Sequence, residues 1–287
     1  MKELLLTAAL PYLTKVLLAS ALFHVYYLLF LRDKVFHQYN RFYLLGSSVV
    51  PLLLPLVRLR LPAAVPLIDR APVLVLHAIA PGSWNEGDGV VSAVNHSVTM
   101  HGYSADLIIA VYGLTVLFAA LTLLRQLWCI RRLQRRYPPE KMGPVNLYMT
   151  REPGTPFAFL NGLFWNEEID MDSERGRQIF LHEWWHIRGR HTLDLLWLRL
   201  TMVFFWMNPF FYLTYREIRT IHEYLADQFA VAGGDRFEYA ELVVWRAVSN
   251  RSHSLLHPFF QSSIKRRITM LTRFQSSRPG YISRMMV

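Results

Sequence analysis

One uncharged run constrains this chain more than any other feature: the 18 residues from Leu107 to Leu124, followed by Arg125, Arg131, Arg132, Arg135, Arg136 and Lys141. A helix of that length reaches about 27 Å at ~1.5 Å per residue, close to the hydrocarbon thickness of a bilayer. The basic cluster behind it favours the cytoplasmic side for its C-terminal end. Two apolar runs precede it. Val16–Leu31 is uncharged and is lengthened by Leu4–Thr14 ahead of Lys15; it reads as a retained first span, kinked or delayed at Pro11, because no small-x-small cleavage site precedes Arg32. Phe42–Val57 contains Pro51 and Pro55 and reaches spanning length by extending past Arg58, whose side chain would snorkel. Alternation then places the Arg32/Lys34/Arg41 turn inside, and puts the N-terminus and the Pro-, Gly- and Val-rich segment 58–104 outside, with Arg58, Arg60 and Arg70 running against the rule.

Composition agrees. Of 287 residues, 53% are hydrophobic and 18% charged, and the formal net charge is +10. Excess base alone would also suit nucleic acid, but Leu-rich runs beside it point to a lipid bilayer as the partner, with no direct nucleic-acid contact. Disorder, collagen-like repeats and a disulfide scaffold are excluded. Cys129 is the sole cysteine, so no internal disulfide forms and the redox compartment stays open.

The chemistry concentrates in His182-Glu183-Trp184-Trp185-His186. On a helix, positions i and i+4 share a face, so both imidazoles can reach one metal while Glu183, about 100° round the axis, can handle a metal-bound water. This is the H-E-x-x-H arrangement of zinc hydrolases. Asp172-Ser173-Glu174 supplies a helix start, and Gly189 follows the apolar face. Two imidazoles leave a catalytic Zn2+ one protein ligand short. Ile221–Val231 offers Glu223, with Asp227 one turn on and able to reach a ligand histidine's distal N–H. His222 competes with Glu223 from a direction about 100° away, and His191 is a third alternative, more in keeping with a structural place or the substrate cleft.

Upstream, Val145–Trp165 reads as a strand, a turn at Glu152-Pro153-Gly154 and a hairpin at Asn161-Gly162. An exposed strand edge beside a metal helix would align an extended peptide by β-augmentation; a purely structural hairpin fits the residues equally well. Leu200–Tyr215 is apolar but broken by Asn208-Pro209, and hydropathy alone does not separate a span from a membrane-lying or packed helix.

Taken together, these segments resemble the BlaR/MecR-type family of membrane zinc metalloproteases, the antibiotic-sensing signal transducers and their relatives, over residues 4 to about 275. The Pro-Phe-x-x-Phe-like strand is matched by Pro156-Phe157-Ala158-Phe159, the zinc helix by His182–His186, and a basic-His-x-x-Asp stretch by Arg190–Asp194. Trp206–Pro209 matches the family's Asn-Pro helix, Glu223–Asp227 its E-x-x-[AC]-D motif, and Arg267-Ile268-Thr269-Met270-Leu271 its basic segment. The resemblance implies zinc held by His182, His186 and Glu223, Glu183 as general base, Asp227 behind a ligand histidine, and His191, Phe157 and Phe159 in substrate or structural places. It also implies a protein or peptide substrate, in the family a cytoplasmic transcriptional repressor or the protease itself. A homodimer is an open arrangement. Prenyl-protein and heat-shock membrane proteases share H-E-x-x-H and E-x-x-x-D but usually space them farther apart and lack the strand motif. A non-catalytic transducer with a structural metal and a small-molecule transporter are the other classes; Glu183 argues against the first and the lack of a paired inverted repeat against the second.

The expected fold is an α-helical membrane protein with an embedded α+β zinc metalloprotease domain, its H-E-x-x-H helix preceded by a small β-hairpin or sheet. Residues 1–128 form the membrane region with about three transmembrane helices and an extracellular loop at 58–104. Residues 129–275 form a cytoplasm-facing protease domain with an apolar membrane-associated helix at 193–215, and 276–287 are a truncated lead-in to a fourth span. The location is a bacterial inner, or cytoplasmic, membrane.

Overall fold

The computed structural model of the chain describes residues 2–57, 102–231, 235–249 and 257–273. Most of the loop expected at 58–104, and all of the lead-in at 276–287, lie outside them. The described chain is mostly helical with one small mixed sheet. Helix α1 (Lys2–Tyr26) runs through Pro11 and ends in a π-helical turn, Tyr27–Leu31. Helix α2 (His37–Leu53) closes with a 3-10 turn at Leu54–Leu56, and α3 covers Gly102–Arg136. The boundary expected at 128/129 therefore falls inside a helix, because the arginines after Leu124 are good helix formers and nothing interrupts them. Residues 102–104 belong to α3 as well, not to the preceding loop.

Among the described residues, two helices are long and apolar enough to cross a membrane: Ala9–Leu31 and Asp106–Arg136. The segment expected as a second span is shorter. α2 has 17 residues and buries Asn40, Arg41, Ser47 and Ser48 among its neighbours. α3 is the opposite case. No residue from Asp106 to Arg136 is buried, and Leu107, Leu114 and Phe118 are 65%, 67% and 70% exposed.

The sheet runs β1-β2-β4-β3, from β1 (Glu140–Met142), β2 (Val145–Thr150), β3 (Phe157–Phe159) and β4 (Gly162–Asn166). β2 pairs in parallel with β4, Asn146 opposite Gly162, while β3 pairs antiparallel with β4 as a hairpin and forms one edge. Leu160, at the hairpin turn, has φ 51, and its N–H donates to Thr192 Oγ1 at 3.1 Å. That bond ties a strained turn to the start of the next helical layer.

Helices α4 (Glu174–Arg188), α5 (His191–Phe204), α6 (Pro209–Ala230), α7 (Arg236–Ser249) and α8 (His257–Arg273) follow. The block expected as one apolar helix over 193–215 is two helices folded back on each other. Pro209 lacks the N–H that a continuing helix needs, and Asn208 caps α6 instead, its side-chain oxygen accepting from Phe210 N–H at 3.0 Å. Asn208 Nδ2 also donates to Ser20 Oγ of α1 at 2.8 Å, and Tyr112 of α3 donates to Phe204 O at 2.7 Å. Ser20 stands 12 residues before Arg32, and Tyr112 stands 13 before Arg125. At ~1.5 Å per residue, both place the hairpin tip about 18–20 Å beyond the basic residues.

Three apolar clusters stack along this axis. Val16, Met202 and Phe211 surround the tip; Tyr27, Leu44, Leu198, Ile218 and Leu225 fill the middle; the sheet, α4, α7 and the C-terminal end of α6 close over Leu163, Trp165, Ile179 and Leu242. α6 passes through all three levels. It carries Phe211 at one end and Glu223 and Asp227 toward the other.

Candidate active site

The site grows from α4. Ser173 caps the helix by accepting from Gly176 N–H at 3.0 Å, and Gly176 must be glycine because a Cβ there would collide with the Asp170 carbonyl. Three turns on, His182 and His186 share a face, their Nε2 atoms 3.3 Å apart. Glu223 on α6 approaches both, with Oε2 3.6 Å from His182 Nε2 and Oε1 3.9 Å from His186 Nε2. One ligand atom from each of the three lies within 4.8 Å of the others, which suits a single metal ion. Ligands at about 2.0–2.1 Å from a tetrahedral zinc stand about 3.3 Å from each other, so the donor set and its spacing fit.

Asp227, one turn beyond Glu223, is buried with its Oδ1 3.2 Å from His182 Nδ1. Tyr239 of α7 completes the triangle: its oxygen lies 2.9 Å from His182 Nδ1, and its hydroxyl donates to Asp227 Oδ1 at 2.8 Å. Arg267 of α8 reaches Asp227 through Nε and Nη2 at 2.8 and 2.6 Å, and Glu223 through Nη1 at 3.0 Å. Burial works against every charge here, but the ion pairs prevail. His182 is pushed up to about 9, with Asp227 and Glu223 overcoming its desolvation. Arg267 and the histidines hold Glu223 well below the usual carboxylate range, and Asp227 is lowered by the same neighbours.

His186 differs. Its Nδ1 faces His191 Nδ1 at 2.8 Å, and burial depresses it to about 4. His191 is thus brought to the cluster but behind His186. His222 points elsewhere: its Nε2 lies 2.9 Å from Asp194 Oδ2, with its ring stacked on His191.

Glu183 is 6% exposed, and its Oε1 accepts from Arg246 Nη2 at 3.0 Å. The same nitrogen donates to Pro156 O at 3.3 Å, which sets the start of edge strand β3 beside Glu183. Phe157 stacks on Phe164 with ring centroids 4.6 Å apart, a packing role, while Phe159 is half-buried farther along β3. Sequence reasoning missed Tyr239 and Arg246 altogether. Arg267 had a signal, the basic motif of the resemblance, but no role.

Among curated proteins, none matches the chain. A family model described as BlaR1 peptidase M56 matches residues 156–271. That stretch runs from the start of edge strand β3 to the C-terminal part of α8 and contains His182, Glu183, His186, Glu223, Asp227, Tyr239, Arg246 and Arg267, so the part of the chain that builds the site is similar to the BlaR1 peptidase M56 family.

Proposed function

We propose that the chain is a zinc-dependent endopeptidase of the cytoplasmic membrane whose site faces the cytoplasm and cleaves a peptide presented along β3. One observation carries this reading: His182, His186 and Glu223 converge to within single-ion distance beside the buried carboxylate of Glu183. His182, His186 and Glu223 would hold the ion. When bound, zinc supplies a Lewis acid for the scissile carbonyl and lowers the pKa of water.

Glu183 takes the proton from the attacking water and returns it to the departing amine. Its ion pair with Arg246 aims the carboxylate and occupies one of its oxygens, so a substrate strand that draws Arg246 away frees that oxygen for the water. Among the described residues β3 pairs with β4 on one side only, and its other edge can hold the extended backbone. Asp227, with Tyr239, holds His182 through Nδ1, which would leave Nε2 free for the ion.

The membrane reading rests on α3, whose unburied leucines would be costly in water and are at home in lipid. The α5/α6 hairpin enters from the basic side and turns back about 18–20 Å in, which returns Glu223 to the side of His182. By the family resemblance, the substrate is a cytoplasmic repressor or the chain itself.

Two measurements test the reading. In purified, detergent-solubilised protein, Glu183→Gln retains about one zinc and loses peptide cleavage; retained cleavage overturns the role of Glu183. In a Cys129→Ser background, cysteines at Glu140 and Gln228 label together from the cytoplasmic face. Labelling from opposite faces defeats the shared site.

A further inference from the structure

Behind His186, and apart from His182, Glu183 and Glu223, lies a buried ionisable cluster formed by His191, His222 and Asp194. If Nε2 of His186 faces a metal, its Nδ1 carries the proton and needs an acceptor. That acceptor is His191 Nδ1, at 2.8 Å. His191 then carries its own proton on Nε2, a buried atom with no hydrogen-bond partner among the described residues. Its ring is held by shape instead. It stacks on His222 with centroids 3.9 Å apart and planes at 3°, and it lies so close over Gly189 that a Cβ there would meet Nε2 at 2.6 Å.

His222 is held at one point, Nε2 to Asp194 Oδ2 at 2.9 Å, and its Nδ1 is also unpartnered. Asp194 is held in turn by Arg41 Nε at 2.7 Å, and Arg41 Nη2 donates to Gly189 O at 2.5 Å. One guanidinium from α2 therefore grips both sides of the link between α4 and α5. Two buried imidazoles with one unpaired nitrogen each are costly to keep, and an apolar pair would fill the space without that penalty. Their order along the path from Arg41 to His186 gives them a purpose.

We propose that Arg41 is a positioning residue for the metal ligand His186, acting through Asp194, His222 and His191, so that metal affinity depends on the placement of α2. This rests on the zinc reading of the preceding subsection. A clamp that merely joins three helices would change folding stability and leave the ligand alone. A positioning chain changes metal binding, and its members act as one unit.

The test uses the purified full chain in detergent, with zinc affinity measured by chelator competition and the visible absorption of the cobalt(II)-substituted protein as a second readout. Arg41→Gln and Asp194→Asn each weaken zinc about tenfold or more, in the range seen when partners of metal-bound histidines are removed. The double variant is about as weak as the worse single one, because both break the same chain. Arg41→Lys, which keeps the charge but cannot grip two acceptors, falls between wild type and Arg41→Gln, and the cobalt spectrum shifts in the same order. Should Arg41→Gln fail to fold, Asp194→Asn carries the test, since it leaves Arg41 on Gly189. Wild-type zinc affinity in Asp194→Asn, or losses that multiply in the double variant, overturns the proposal. His182→Ala is the control for the underlying site: if it holds zinc as tightly as wild type, the metal-site reading is wrong and the inference falls with it.

Discussion

His182 and His186 stand one turn apart on the same helix face, yet their surroundings are built on opposite plans. Behind His182 lie a carboxylate, a phenol and an arginine, drawn from α6, α7 and α8 of the catalytic layer. Behind His186 lie two stacked imidazoles, and the charges appear only one step farther out, at Asp194 and at Arg41 of α2. One ring is raised to about 9 and the other depressed to about 4. Two candidate ligands on one helix need not be equivalently supported: the first is anchored by α6, α7 and α8, the second to α2, a helix packed on α1 and α6.

Glu183 offers the largest effect, because it belongs to neither support. Glu183→Gln lowers kcat by about 10²–10⁴-fold while zinc stays bound, and a comparable loss of zinc would show that the base and the ligand supports are not separable. Asp227→Asn comes next. It removes the anion behind His182 and weakens zinc by about 10–100-fold, at least as much as Arg41→Gln does on the other side. If Arg41→Gln proves the more damaging, the support from α2 is the principal one.

Proton release sharpens the contrast. A raised His182 stabilises the metal-free fold below the ordinary imidazole value of 6.5, and that contribution is lost as pH rises through about 9. Zinc needs the neutral ring. At pH 7.5, binding therefore expels a proton from His182 and none from His186, which is already neutral. Calorimetry in buffers of different protonation enthalpy should find close to one proton fewer released by Asp227→Asn than by wild type; equal release would remove the asymmetry. Tyr239→Phe has the smallest effect, about 1 kcal/mol of folding stability with zinc retained, read from the denaturant midpoint.

What could be read from the chain beforehand follows the range of the interactions. His182, Glu183 and His186 lie within five residues, and a helical repeat alone relates them. Ser173 before Glu174 marks the start of that helix by a local cap. Asn208-Pro209 showed that the apolar block breaks, and convergence of His182 and Glu223 asked for a re-entrant, peripheral or hairpin course; packing against Ser20 and Tyr112 shows the hairpin and where it turns. The parallel pairing of β2 with β4 across an intervening strand has no local signature either. Tyr239, Arg246 and Arg267 reach the site from 57, 63 and 40 residues away from His182, Glu183 and Asp227, and no periodicity links positions so far apart. The third ligand was narrowed to Glu223 by resemblance, whereas spacing alone left His222 and His191 beside it.

α3 adds a mechanical consequence. Its 35 residues form one uninterrupted rod, about 52 Å long at ~1.5 Å per residue. Near one end Tyr112 bonds to the tip of the α5/α6 hairpin, and at the other Arg136 pairs with Glu152 at the loop that follows β2. A stiff rod fastened at two heights works as a lever. Tyr112 and Arg136 are 24 residues apart, about 36 Å, so a tilt of about 5° displaces one attachment relative to the other by about 3 Å, and the hairpin tip and the sheet loop are the two places where the displacement is delivered.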